Sequence, residues 1–156
     1  MDDRALIRHQ LGLSHRLLKF TLDDVSNEEA QRMPSPALSP IAWQVGHVAF
    51  VNFTFAFGRE AVQTKVPQAY PKLFATGTGG RADYPAFGEL MKTLDDSHAA
   101  LLDAAGHADL GKANEGPFGA WSNLGEMFAF ASTHCAYHVG KVTTLRALLG
   151  KPRKIG

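Results

Sequence analysis

The chain has 156 residues, of which 45% are hydrophobic and 20% charged, and its formal net charge is +1. That length suits one domain with its own hydrophobic core, which we expect to span residues 1–156. The nearly balanced charge argues against binding to nucleic acid or to an anionic membrane surface, because both call for a strongly basic surface.

The first long helix is predicted close to the start of the chain. Asp2 or Asp3 can cap it by accepting hydrogen bonds from the first turn. Apolar residues then recur at three- and four-residue steps as far as Phe20, which is the spacing of one helix face. A short, turn-rich element is predicted to follow at residues 23–33.

The second long helix follows a connection rich in proline, residues 34–40. Ser39 is its predicted cap, and Pro40 its predicted first residue. The helix runs to about Gly58 and is apolar on nearly all sides, which predicts a central position or a contact with a partner subunit. Its Phe-rich part, residues 50–57, is the predicted dimer face.

Residues 67–81 show no regular periodicity and are predicted to form a loop. The loop has several glycines but does not resemble a phosphate-binding loop, because no strand precedes it and no Lys-Ser or Lys-Thr pair follows. The third long helix is predicted from residue 84 to about residue 105. Asp83 is its predicted cap, and Gly106 is predicted to end it.

The last long helix is predicted to begin at Asn123, because Asn123 and Glu126 are spaced almost as in a capping box. It is predicted to end at Leu149, where Gly150 and Pro152 form a stop signal. No segment alternates like a β-strand. Four long helices therefore predict an all-α fold, most simply a four-helix bundle.

The last helix carries two histidines, His134 and His138, four residues apart on its predicted buried side. Neutral imidazoles at this spacing can bind one zinc, nickel, iron or copper ion, whereas burying them unpaired costs desolvation energy. The spacing also arises by chance, so a core role for both residues stays open. Cys135 stands where zinc proteases have their catalytic glutamate, which argues against a protease.

His47 is the candidate for a third ligand, because it lies in the middle of the most apolar helix. Catalytic zinc sites commonly use three protein ligands and leave one position open. Gly46 beside it predicts that another segment approaches closely. The remaining histidines are interpreted as surface residues: His9, His15, His98 and His107.

Cys135 is the one cysteine of the chain, so no internal disulfide can form, as is usual in a reducing cytoplasm. It points about 100° away from each neighbouring residue around the helix and is predicted to pack as a small hydrophobe. The start of the chain lacks a signal-peptide pattern, and no apolar run is long enough to cross a bilayer. We therefore expect a cytoplasmic protein.

Short motifs on two of the predicted helices resemble those of a known family, the DinB-like superfamily. This is the damage-inducible family that includes YfiT-like proteins, not the DNA polymerase of the same name. The motifs are Trp43-Gln-Val-Gly-His47, then His134-x-x-x-His138-x-Gly140-Lys-Val and Leu145-Arg146-x-x-x-Gly150.

The resemblance implies a four-helix bundle with up-down-down-up connectivity and often a homodimer. It implies one divalent transition metal per chain, held by His47, His134 and His138, with zinc or nickel favoured and iron or manganese as alternatives. Characterised relatives include transferases and isomerases that use low-molecular-weight thiols. The N-terminal domain of ergothioneine-type sulfoxide synthases is also related. Some relatives place an acidic residue near the ligands, where this chain has Asn52 and Gly140.

The leading functional hypothesis is a metal-dependent enzyme acting on a small molecule. The metal would lower the pKa of a bound thiol in a transferase, or of bound water in a hydrolase. Gln44, Asn52 and Tyr137 are candidates for orienting substrate or ligands. Trp121, Phe118 and the loop at 77–80 are candidates for the mouth of the site. A non-catalytic metal-binding stress protein and a metal-free interaction module remain as alternatives.

Overall fold

The computed structural model describes residues 1–80 and 83–155, which contain seven α-helices and no β-strand. The predicted all-α fold is thus confirmed. None of the described helices is long and apolar enough to cross a membrane. The helices are α1 (Asp3–Leu22), α2 (Asn27–Gln31), α3 (Ile41–Phe57), α4 (Val62–Lys65), α5 (Tyr70–Phe74), α6 (Phe87–His107) and α7 (Leu124–Leu148), with a 3-10 turn at Pro117–Gly119.

Side-chain caps fix several of the helix starts. Asp2 accepts from the Ala5 amide at α1, and Ser26 forms a complete capping box with Glu29 at α2. Asn123 accepts from the Glu126 amide at α7, as its spacing predicted. The Glu126 carboxylate accepts from the amide and hydroxyl of Ser122, not from the Asn123 backbone amide as in a full capping box.

Two predicted helix starts are wrong by one to three residues. Pro40 is the cap of α3 rather than its first residue, and the Ser39 side chain does not cap it. Helix α6 begins at Phe87 with Ala86 as its cap, so Asp83 lies outside it. Proline at 85 explains the shift, because a residue before proline is disfavoured in helical geometry.

The predicted loop at 67–81 is wrong in part, because it contains helix α5 (Tyr70–Phe74). Residue 81 lies outside the described residues. A five-residue helix is too short to show periodicity, so its signal is lost in the sequence. Burial stabilises it: Phe74 is fully buried and packs on Tyr70 and Tyr84, with ring centroids 4.8 and 5.7 Å away.

The four long helices pack as a ring. Helix α1 contacts α7 and α6, and α3 contacts α6 and α7. Helix α3 also packs against α2, α4 and α5, which explains why it is apolar on nearly all sides. The up-down-down-up connectivity stays a prediction.

Arg146 on α7 is fully buried, which is rare for a charged residue. Its Nη1 donates to the Thr21 carbonyl at 2.9 Å and to the Asp24 carboxylate at 2.5 Å. Its Nη2 donates to the other Asp24 oxygen at 3.2 Å and to the Pro152 carbonyl at 3.0 Å. This network fastens the end of α1 and the C-terminal segment to α7.

Gly46 lets α5 approach α3, as the sequence predicted for this position. A Cβ atom there would lie 2.2 Å from the Phe74 ring, whose full burial leaves it no room to move. Gly46→Ala should therefore destabilise the fold by about 1–3 kcal/mol through overpacking. Urea denaturation measures this free energy of unfolding.

Gly140→Ala is the matched control, because a Cβ on Gly140 in the exposed part of α7 meets no atom within 4 Å. Alanine there should stabilise the helix by about 0.5–1 kcal/mol. Equal effects of the two substitutions would show that Phe74 does not constrain position 46.

Candidate metal centre

Three histidine side chains from two helices converge in the middle of the bundle. The Nε2 atom of His134 lies 3.2 Å from His47 Nε2 and 3.2 Å from His138 Nε2. His47 comes from α3, and the other two lie one turn apart on α7. His47 and His138 are buried, and His134 is half-buried. Among the described residues, this is the group of histidine, cysteine or acidic side chains that could hold a metal.

Fixed acceptors orient two of the three imidazole rings. His47 Nδ1 lies 2.7 Å from the Phe74 carbonyl oxygen of α5, so it must be the protonated, donating nitrogen. His138 Nδ1 lies 2.7 Å from Gln44 Oε1. The Gln44 amide nitrogen donates to the Ser39 carbonyl at 3.3 Å, which sets which amide atom faces the histidine.

These bonds decide what the Nε2 atoms can do. A neutral imidazole that donates through Nδ1 carries a lone pair on Nε2. His47 and His138 therefore both direct lone pairs toward the Nε2 atom of His134. Such second-sphere contacts through Nδ1 are typical of metal-binding histidines, whose tautomer and ring orientation they fix.

The protein environment keeps all three imidazoles neutral. Burial lowers the pKa of His47. Burial and the neighbouring His47 lower the pKa of His134 to about 4. Burial, followed by His134 and His47, lowers the pKa of His138 to about 2. Neutral imidazole is the form that binds metal, so the ligands need not release protons near pH 7.

The spacing fits a first-row divalent metal. Two nitrogens at the usual zinc distance of about 2.0–2.1 Å lie about 3.3–3.4 Å apart in a tetrahedron. The Nε2 atom of His134 lies at 3.2 Å from that of His47 and from that of His138, close to this spacing. His134 Nδ1 is buried without a hydrogen-bond partner among the described residues, so His134 is less firmly oriented than the other two.

Aromatic rings pack against the histidines. The Trp43 ring stacks on His47 with centroids 4.6 Å apart, and its Nε1 donates to Thr78 Oγ1. The Tyr137 ring lies edge-on to His138 at 5.1 Å. These rings limit the motion of the imidazoles and exclude water from one side of the cluster.

The three predicted orienting residues lie in different environments. Gln44 contacts His138 directly. Tyr137 borders His138 but is 59% exposed. Asn52 is buried, and its amide donates to Ser97 Oγ on α6 at 3.3 Å, so it supports the α3–α6 contact.

The predicted surface location of four histidines is correct for His9 and His107 but wrong for His15 and His98. His15 and His98 are half-buried and stack with centroids 3.9 Å apart. Burial lowers the pKa of both, that of His98 to about 4. Neither falls on the apolar stripe of its helix, so no local pattern predicts the stack.

A cleft of about 1010 Å³ opens onto the triad through His47 and His134, which line it, while His138 does not. Trp121 also lines the cleft, as proposed from the sequence. Phe118 is fully exposed, and neither it nor the loop at 77–80 belongs to the described lining. Part of the predicted dimer face, residues 50–57, forms a wall of this cleft.

Cys135 faces away from the cleft. It is buried and borders a small cavity with Ser14 of α1. Burial raises the pKa of its thiol to about 11, so the thiol stays protonated and poorly suited to bind metal. This placement agrees with its predicted packing role.

An all-helical chain with a histidine triad between two of its helices defines a candidate metal-binding helical protein. Comparison with known families matches residues 10–142 to the DinB superfamily. The match covers most of the chain, and the chain belongs to this superfamily, as its motifs indicated. No curated protein matches the chain significantly.

Proposed function

We propose that His47, His134 and His138 hold one divalent transition metal and that the chain is a thiol-dependent transferase or isomerase. Zinc or nickel fits three neutral imidazoles best, with iron or manganese as alternatives. The observation that carries the proposal is the convergence of three Nε2 atoms at the inner end of a cleft. Such a site is accessible to a small molecule from one side.

The chain's own residues would orient the metal ligands and bind the substrate. Phe74 and Gln44 hold two ligand rings in the required tautomer. The cleft admits the substrate beside His47 and His134. A metal held there would lower the pKa of a thiol toward neutrality, which increases the thiolate fraction available for attack.

The scarcity of acidic groups in the described lining of the cleft favours a thiol substrate over hydrolysis. Hydrolysis usually needs a general base within hydrogen-bond reach of water. The described lining of the cleft offers two candidate bases outside the triad, Glu115 and His107, and both are exposed to solvent. A thiol can be activated by charge alone and does not need that base.

The proposed function is tested by loading untagged protein with zinc or nickel and mixing it with small thiols and an alkyl or aryl halide. We expect metal-dependent loss of free thiol and formation of the thioether, with halide released. The His134→Ala protein should lose this activity. The proposal fails if the loaded protein accelerates no thiol reaction above the level of free metal.

Among the described residues no carboxylate joins the histidine triad, which also favours a second candidate, a non-catalytic metal-binding protein. It predicts one tightly bound metal per chain and no turnover of thiol or ester substrates. The homodimer remains a proposal as well. Its best surface is the exposed apolar stripe of α1, and sedimentation velocity tests it. The stripe is Leu6, Leu13, Leu17 and Phe20.

A further inference from the structure

The cleft is long and runs from the triad to one end of the bundle. Its lining on α3 extends from His47 to Gly58, eleven residues later. At about 1.5 Å per residue this is about 16 Å. Helix α7 runs alongside α3, because its His134 contacts His47 and its Phe130 contacts Phe55 farther out. Trp121, just before α7, also contacts Phe55.

The wall between the two ends is mostly apolar, with the Thr54 hydroxyl among its polar groups. Phe55 lies edge-on to Trp121 and Phe130, with ring centroids 5.5 and 6.4 Å apart. Phe50, Val51 and Met127 extend this wall. The residues of the described lining with charged side chains are Arg59, Lys112 and Glu115. The wall therefore favours an apolar ligand body.

The outer end is cationic. Arg59 follows the end of α3, and Lys112 lies in the loop whose carbonyl accepts from the Leu124 amide at the start of α7. Both line the cleft and are exposed, and neither side chain has an ion-pair or hydrogen-bond partner among the described residues. Glu115 is the acidic residue in the same described lining, so positive charge exceeds negative charge there.

We propose that the cleft binds an elongated ligand with an apolar body and an anionic head group. The head group would lie at Arg59 and Lys112, and the far end would lie beside His47 and His134. Taking this ligand as the second substrate, which reacts with the thiol, rests on the proposed function. Binding of the ligand rests on the cleft alone.

The test measures displacement of the fluorescent probe 8-anilinonaphthalene-1-sulfonate by straight-chain carboxylates of increasing length, below their micelle concentrations. Affinity should rise about two- to fourfold per added methylene, because each buried methylene adds a similar apolar area. The rise in affinity should stop at about twelve carbons, because each carbon extends a chain by about 1.3 Å and the cleft is about 16 Å long. Affinity independent of chain length would overturn the proposal.

Charge is tested with decanoate and decanol. The double variant Arg59→Gln/Lys112→Gln should weaken decanoate binding about three- to tenfold, as expected for exposed charges, and leave decanol binding unchanged. Lys72→Gln is the matched control, because Lys72 is exposed and outside the described lining. Equal binding of decanoate to wild type and double variant would refute the placement of the head group.

Position is tested with Thr54→Trp, because Thr54 lines the cleft between the triad and its outer end. The larger side chain should shorten the optimal ligand by several carbons without unfolding the half-buried site. An unchanged length optimum would place the ligand elsewhere.

Binding is measured with and without zinc. A failure of thiol transfer therefore leaves the binding result intact, and a failure of binding leaves the thiol-transfer result intact.

Discussion

Replacing any one of the triad histidines with alanine is expected to remove the metal from the purified protein. Wild type should contain about one first-row transition metal per chain, and each variant less than a tenth of that. Loss of one of three ligands should weaken binding on the order of 100-fold or more. Elemental analysis of protein purified without a histidine tag measures the metal content. The triad is His47, His134 and His138.

Two comparisons make this result specific. His98→Ala should keep its metal, because His98 stacks on His15 and is not part of the triad. Gln44→Leu should weaken binding about 10–100-fold, since it removes the acceptor that holds His138 Nδ1. Wild-type protein that takes up neither zinc nor nickel would leave the histidines as core residues.

The Asp24→Ala substitution is expected to lower the free energy of unfolding by about 2 kcal/mol. It leaves the fully buried Arg146 guanidinium without its carboxylate partner, and an unpaired buried charge is strongly destabilising. The Thr21 and Pro152 carbonyls still accept from Arg146, and the Asp24 side chain is 40% exposed, so the loss should be smaller than the about 3–5 kcal/mol of a fully buried pair. Urea denaturation at pH 7 measures the change.

Asp23→Ala is the control, because Asp23 pairs with Lys154 at the surface and its side chain is 53% exposed. Its removal should change the unfolding free energy by less than about 1 kcal/mol. Similar losses for both variants would mean that burial of Arg146 has no special role.

The same ion pair gives stability a defined pH dependence. Hydrogen bonds from Arg146 hold the pKa of Asp24 below its ordinary value of 3.8. The stabilisation is therefore complete above the unfolded-state pKa and is lost as the pH falls through the lower folded-state pKa. The difference between wild type and Asp24→Asn should be constant from about pH 5 to 8 and shrink below about pH 4. A difference that grew in acid would contradict this assignment.

The long helices and the triad could be predicted from local sequence because their signals are local. Apolar spacing marks a helix face, and His134 and His138 lie one turn apart wherever that helix forms. His47 was found by its unusual place in an apolar helix. Its approach to the other two depends on how α3 packs on α7, which only the family resemblance predicts.

Other features depend on contacts between distant parts of the chain. The Phe74 carbonyl is a backbone group in a segment without periodicity, so no side-chain pattern marks it as the partner of His47. Arg146 looks like an ordinary helix residue until Asp24, more than a hundred positions earlier, lies beside it. The cationic end of the cleft likewise combines Arg59 and Lys112 from separate loops.

The hydrogen bond from His47 to Phe74 links the metal site to a five-residue helix. Short helices are marginal on their own, and α5 depends on the Phe74 ring seated against Gly46. Transient opening of α5 would free the His47 ring to rotate and weaken one ligand. If closure of α5 strengthens binding at the triad by some free energy, then a ligand bound at the triad stabilises closed α5 by the same free energy. Hydrogen exchange of the α5 backbone amides should therefore slow when the triad in the bundle centre is occupied.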